Sequence, residues 1–315
     1  MDPYSDSSEL YHLRQQFYSS RYLDLIKLDL KKDIIFNNED NLYESYKYQI
    51  RSYISINEFE KGLELLRSIN DEIPEHYKID FKGLEYYIGF ISQEKGEDLE
   101  FESFINENLN NQFVNLLGGL YYIKLNNFEK SIEILKKSKK SFENLSVLIY
   151  VNLLNLNLKD TELNLKEFNK ISQDDFLYTL TQSWFELTKF NNSLNQSYYY
   201  YDELTNNLET NSIKFLLNLF TSNLKLLRIP ESQEVLNKLS EFKTDNPNQF
   251  DLKQWECDFI INKIAFNYLK LEKGSDFEVD NLVNELKTLD SNNDYLLDLK
   301  EKNDIFDNIV TKYTV

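Results

Sequence analysis

The sequence predicts an all-α protein, a right-handed α-solenoid of stacked helix pairs closed by a C-terminal capping helix. Three observations predict it. Only 7 Gly and 4 Pro occur among 315 residues, too little turn material for the tight connections of a sandwich or barrel. Aromatic residues make up 15% of the chain, too many for a disordered acidic polymer, and a chain this long buries a sizeable core. The third observation is a helical segment that recurs at a fixed spacing.

Residues 53 to 66 align with residues 122 to 135, with eight of fourteen positions identical and an offset of 122 − 53 = 69. That offset is close to twice the period of about 34 residues of the tetratricopeptide repeat, a helix–turn–helix unit. The detail agrees with that unit. Tyr46, Gln49, Ile50 and Tyr53 fill the first-helix positions of one copy, and Asn115, Gly118, Gly119 and Tyr122 those of the other. In the second helix a small residue precedes a bulky one by four, as Gly62 precedes Leu66 and Ser131 precedes Leu135. Two adjacent glycines inside a helix cost about 1 kcal/mol each relative to Ala, so close helix packing is the reason to keep Gly118 and Gly119. Alanine occurs once, at Ala265. The small positions of the repeat are therefore expected as Ser, Gly or Thr.

Weaker copies flank this pair in order. Leu13 to Leu28, turning at Ser19-Ser20-Arg21-Tyr22, reads as an opening unit, and Pro74 closes the unit built on Tyr53. Leu84 to Phe104 turns around Lys95-Gly96-Glu97, and Tyr150 to Phe168 turns near Asn157. Leu177, Leu180, Thr181 and Trp184 begin a unit with a long turn: 197 − 184 = 13 residues separate Trp184 from the small residue Ser197, against 62 − 53 = 9 from Tyr53 to Gly62. Phe215 to Phe242 is a helix pair broken at Ile229-Pro230, since proline fits only a first helical turn. Trp255 to Leu271 and Asp280 to Leu289 extend the array. Asp294 to Tyr313 is an amphipathic helix with Leu296, Leu299, Phe306, Ile309, Val310 and Tyr313 largely on one side, the expected cap of an end repeat. No Gly-, Pro- or Ser-rich linker interrupts the chain. The expectation is one domain over 1–315, with repeat pairs in 8–290 and the cap in 294–313.

Charge excludes several functions. With 35 basic and 53 acidic residues the net charge is 35 − 53 = −18, and the pI is near 4.7. No basic stripe is available to neutralise nucleic-acid phosphates, and an anionic membrane surface repels such a chain. No stretch approaches the apolar length of a membrane span, and the start Met1-Asp2-Pro3-Tyr4-Ser5-Asp6 lacks the basic and apolar regions of a secretory signal. One cysteine, Cys257, cannot form an internal disulfide, which fits a reducing cytosol.

Groups for catalysis are scarce. His12 and His76 sit in no metal-ligand spacing, and no glycine-rich phosphate loop exists, because Gly118-Gly119 lies mid-helix without a following Gly-Lys-Ser/Thr. Cys257, beside Trp255 and Phe259, reads as a buried, inert thiol. Asp174-Asp175 and Glu97-Asp98-Glu100 could pair as acid–base carboxylates, but the same residues serve as helix starts facing water. The basic run Lys136-Lys137-Ser138-Lys139-Lys140 offsets a helix C-terminal dipole. In the run Tyr198 to Tyr201, helical spacing points Tyr201 inward. No catalytic residue, cofactor site or metal site is expected.

With the repeats placed, three segments together resemble one family, the epsilon subunit of the COPI coatomer. They are Glu9-Leu10-Tyr11-His12-Leu13-Arg14-Gln15-Gln16-Phe17-Tyr18-Ser19-Ser20-Arg21-Tyr22; Leu177 to Trp184 followed after a long turn by Gln196-Ser197-Tyr198-Tyr199; and the ending Lys302-Asn303-Asp304-Ile305-Phe306-Asp307 with Val310 and Tyr313. The likeness runs through essentially the whole chain, with departures at the repeat alanines and over residues 95 to 115. The resemblance implies a non-enzymatic coat protein of Golgi-derived vesicles that pairs with the C-terminal domain of the coatomer alpha subunit.

A repeat solenoid presents its first helices inward. The apolar positions expected there are Phe113, Leu116, Leu120 and Ile123 in one unit and Tyr150 and Leu153 in the next. An apolar inward stripe is a candidate partner interface; in a tight superhelix the same residues would instead meet as core. The alternative function is a general repeat adaptor, such as a co-chaperone, gripping a peptide carboxylate. It would need cations on that face, for which Lys47 and Arg51 are the candidates, but the next unit offers only the apolar stripe.

Overall fold

The computed structural model describes residues 8–93, 96–138, 141–172, 175–189, 193–246, 253–270 and 275–313. Residues 1–6, Lys95, Lys139, Lys140, Asp174 and Leu271, named above, lie outside them. Among the described residues are 18 α-helices and no strand, the all-α architecture that scarce glycine and the 69-residue offset predict. The chain divides into two compact units, Met1–Ser197 and Tyr198–Val315.

The first unit holds α1 (Ser8–Tyr18), α2 (Tyr22–Lys27), the single turn α3 (Leu30–Asp33), α4 (Glu39–Ser55), α5 (Phe59–Ile69), α6 (Lys78–Ser92), α7 (Leu99–Glu107), α8 (Gln112–Lys124), α9 (Phe128–Leu135), α10 (Phe142–Leu154), α11 (Leu158–Ile171), α12 (Phe176–Leu187) and the start of α13 (Leu194–Asn206). The second holds the rest of α13, then α14 (Ile213–Lys225), α15 (Ile229–Asp245), α16 (Lys253–Lys270), α17 (Ser275–Leu289) and α18 (Asp294–Tyr313). Pro230 occupies the first turn of α15, where its missing N–H costs nothing.

One turn recurs within the helix pairs. The first helix ends, and the second residue past it adopts the left-handed conformation: Asn57 (φ 61°), Asn126 (57°), Leu156 (54°) and Leu227 (56°). The residue after it then donates its N–H to the carbonyl five positions back, Glu58 to Tyr53 at 2.9 Å, Asn127 to Tyr122 at 2.9 Å, Asn157 to Asn152 at 2.8 Å and Arg228 to Asn223 at 3.0 Å. This is the Schellman closure, which satisfies carbonyls that the helix end leaves orphaned. Nine residues after the residue whose carbonyl accepts comes a small residue, Gly62, Ser131, Thr161 and Ser232 (62 − 53, 131 − 122, 161 − 152, 232 − 223). All four are buried, and the Ser131 hydroxyl donates to the Gly119 carbonyl of the facing helix at 2.9 Å. The absent alanines are thus replaced as composition predicts. At the longer turn Ser197 takes the same role, donating to the Ser183 carbonyl at 3.0 Å.

Gly119 marks the closest approach. A Cβ there would lie 2.6 Å from a methyl carbon of Leu135 on α9, inside van der Waals contact, so the α8–α9 crossing excludes any larger residue. A Cβ added at Gly118 would lie 3.0 Å from a side-chain carbon of Ile105 on α7. Trp184 is half-buried and meets Tyr150 edge-to-face, with ring centroids 5.9 Å apart.

In the second unit a core of Cys257, Ile260, Ile264, Val279, Leu282 and Leu286 joins α16 to α17, and Tyr295 and Leu296 of α18 pack against it. Burial pushes the Cys257 thiol above its ordinary pKa, which keeps it protonated and unreactive. Tyr201 is fully buried while Tyr199 is exposed, as helical spacing predicts. Among the described residues no helix is long and apolar enough to cross a membrane.

Candidate functional site

The first helices α4, α8, α10 and α12 carry the positions expected to face inward in the first unit. On α4 the spacing of Glu44, Lys47 and Arg51 puts all three on one side of the helix. Lys47 is 5% exposed; its ammonium lies 2.7 Å from Glu44 and 2.9 Å from Asp80 of α6, and 4.4 Å from the centroid of the Phe113 ring on α8. The other oxygen of Asp80 accepts from the Asn111 amide at 2.7 Å. A buried ammonium is tolerable only with such pairing.

Arg51 is one turn further along. Its guanidinium donates to both carboxylate oxygens of Glu143 on α10, at 2.9 and 3.2 Å, and lies 4.5 Å from the centroid of the Phe17 ring on α1. The Tyr18 hydroxyl donates to the same carboxylate. Arg14, four residues before Tyr18 on α1, pairs with Asp175 at the start of α12 at 3.6 Å. Helix α1 is therefore tied to α10 and α12. Burial pushes the Glu143 carboxyl up in pKa, but Arg51 and the Tyr18 hydroxyl outweigh it and hold it below the ordinary carboxylate range. Burial, with the Glu143 charge adding to it, drives the Tyr18 phenol well above its ordinary value. Both groups stay in the forms that hold the cross-brace together.

The six apolar positions expected inward divide into three environments. Phe113 and Leu116 are buried, at 9% and 2% exposure, in the core that α8 shares with α4 and α6. Leu120 is half-buried against that same core, while Ile123 and Leu153 are half-buried against a separate core of α10 to α12. Tyr150 is 42% exposed and rests on Trp184. Beside them a recess of about 300 Å³ is lined by Lys47, Asp80, Phe113, Leu116 and Glu143 among others.

A carboxylate clamp needs cations with free hydrogen-bonding capacity facing its ligand. Lys47 and Arg51 are already engaged by Glu44, Asp80 and Glu143, which argues against the adaptor chemistry that the inner-face cations suggested. The acidic clusters serve helix starts: Asp98 caps α7 by accepting from the N–H groups of Glu100 and Phe101, and Asp175 caps α12 by accepting from that of Leu177. His76 sits exposed beside Asp40 at 3.1 Å. Arg14, Tyr18, Asp80 and Glu143 escape sequence reasoning. Their partners lie up to 161 residues away (175 − 14), and local periodicity holds no signal for such pairs.

What this face offers is packing and electrostatic bracing rather than reactive groups, and likeness to known proteins points the same way. The sequence is similar to a protein of Schizosaccharomyces pombe named probable coatomer subunit epsilon, 26% identical over 244 residues, covering 77% of this chain and 76% of that one. A family model described as the coatomer epsilon subunit matches residues 6–314. That match takes in every described helix from α1 to α18, the long turn before Ser197 and the terminal helix alike, and so the chain belongs to the coatomer epsilon subunit family.

Proposed function

We propose that this chain is a non-enzymatic structural subunit of the COPI vesicle coat that binds and stabilises the C-terminal domain of the coatomer alpha subunit. The pair would act at the cytoplasmic side of Golgi membranes, in retrograde Golgi-to-ER and intra-Golgi transport. The observation that carries this reading is family membership over nearly the full length of a helical scaffold, whose inner face is pre-braced by Arg51–Glu143 and Lys47–Asp80. A preorganised face binds without an ordering cost. The reading assigns the contact to the more accessible part of the apolar stripe, Leu120, Ile123, Tyr150 and Leu153, with Phe113 and Leu116 as the packed floor beneath it.

Tyr150→Asp tests this, because a residue 42% exposed can change without opening a core. Co-expressed with the alpha subunit's C-terminal domain, the variant should fail to co-purify while keeping its helicity and melting temperature. Co-purification at the unmodified level would remove the assignment.

A further inference from the structure

The recess of about 300 Å³ beside Lys47 combines a charge imbalance with an unmet acceptor. Three carboxylates line it, those of Glu44, Asp80 and Glu143. Lys47 pairs with the first two and Arg51 with the third, a net of 2 − 3 = −1. His76, also in the lining, is exposed and paired to Asp40 outside it, so it does not offset that charge. Asp80 and Glu143 are engaged through both oxygens. Glu44 meets Lys47 through Oε1, and its side chain stays 34% exposed.

Asn144 supplies the unmet acceptor. It is fully buried and forms part of the recess wall. Its side-chain amide donates to the Gln112 carbonyl at 2.9 Å, which fixes the nitrogen on that side, because a flipped amide would set two oxygens against each other. Among the described residues its Oδ1 has no hydrogen-bond partner. A buried acceptor left unpaired is costly, so such an atom marks a place for a donor.

A ligand that answers both features carries positive charge and several N–H donors; an anion would meet three carboxylates. An ammonium is a compact, strongly hydrated point charge. A guanidinium is more weakly hydrated and spreads five N–H donors over a planar fork, so one group can serve a carboxylate and a carbonyl together. Phe113 and Leu116 line the recess and also form the floor of the apolar stripe, so a polypeptide on that stripe lies next to it. We infer that the recess receives the guanidinium of one arginine from a bound polypeptide, with Glu44 balancing its charge and Asn144 Oδ1 accepting one of its N–H groups. The inference rests on the function proposed above only in taking that polypeptide to be the one seated on the stripe.

The test uses the full chain and N-acetyl-arginine N-methylamide as the probe, with affinity followed by ligand-observed nuclear magnetic resonance. Saturable binding is expected. The citrulline counterpart, with a neutral urea in place of the guanidinium, and the lysine counterpart should each bind about tenfold more weakly or worse. Glu44→Gln keeps the side-chain shape at a half-exposed position and should weaken the arginine probe about tenfold, with the melting temperature unchanged. Glu301→Gln, an equal change of charge at an exposed position of α18, should leave binding as it is. The inference is overturned if the arginine probe does not saturate, if either counterpart binds equally, or if Glu44→Gln binds as well as the unmodified chain. It is also overturned if Glu301→Gln weakens binding as much as Glu44→Gln, which would reduce the effect to attraction by the chain's net charge of −18. Tyr150→Asp should leave probe binding intact, so a failure of the alpha-subunit contact and a failure of this site show separately.

Discussion

Arg51 and Glu143 stand 92 residues apart in sequence and 2.9 Å apart in space, buried between α1, α4 and α10. The Coulomb gain of such a pair is largely offset by desolvation of both charges, so its removal as a pair and its disruption have different consequences. Glu143→Leu alone leaves a buried guanidinium without its carboxylate and should cost about 3–5 kcal/mol. The double variant Arg51→Met, Glu143→Leu should recover most of that loss. Urea unfolding of the three proteins checks this; additive losses would show that the pair is not the coupled unit described here.

Acid should weaken the same brace. Glu143 is held below the ordinary carboxylate range in the folded chain, so its contribution is present above the unfolded Glu pKa, about 4.3, and is lost as pH falls through the lower folded value. Glu143→Gln should flatten the fall in melting temperature below about pH 4.5. A slope identical to that of the unmodified chain would remove Glu143 from the acid response.

Asp258 of α16 works in the opposite direction. Burial pushes its carboxyl up to about 6, so folding favours the protonated form and is opposed by the charged one. Stability from this group is gained as pH falls from about 6 toward the unfolded value of about 3.9. Asp258→Asn should raise the melting temperature at pH 7.5 and have little effect at pH 4. An equal effect at both pH values would mean the change acts through packing alone.

Two glycines should respond with opposite signs. Gly119→Ala forces a Cβ against Leu135 and should cost about 1–3 kcal/mol by overpacking. Gly89, inside α6, has nothing within 4 Å of the position a Cβ would take. Gly89→Ala should therefore gain about 0.5–1 kcal/mol from restricting the unfolded chain. Chemical denaturation compares both; a loss at Gly89 would mean that α6 needs the glycine for a reason other than space.

Leu156 and Leu227 hold the left-handed turn position with their side chains 84% and 67% exposed, whereas Asn57 and Asn126 hold it elsewhere. Asn adopts that conformation at less cost than Leu. Leu156→Asn should raise stability by about 0.5–1 kcal/mol, measured by thermal unfolding. A decrease would point to a contact made by that side chain in the folded chain.

Much of the local architecture is legible in the sequence. The turn register shows in the identity between residues 53–66 and 122–135, because both segments solve the same closure with a left-handed residue and a small residue nine positions after the accepting carbonyl. The long turn after Trp184 is legible because the small residue arrives late. The opening unit is less so: after α1 the chain forms the two short helices α2 and α3, and nothing periodic announces them. At the candidate site, helical spacing sets Lys47 and Arg51 on one side of α4 and groups the apolar positions of α8 and α10. Which of those residues are buried depends on α1, whose Arg14 and Tyr18 engage α12 and α10. Propensity and periodicity act over a few turns, and those pairings span more than a hundred residues.

The placement of α1 has a consequence for synthesis on the ribosome. It is made before its partners: Tyr18 waits for Glu143, 125 residues later, and Arg14 waits for Asp175, 161 residues later (175 − 14). At about 5–20 residues per second, the Arg14 partner is polymerised roughly 8–32 seconds after α1. The intervening helix pairs, held by neighbour contacts, can assemble one after another in that interval. During it the aromatic side of α1, with Phe17 and Tyr18, lacks its final cover, so α1 is open to chaperones until those partners emerge.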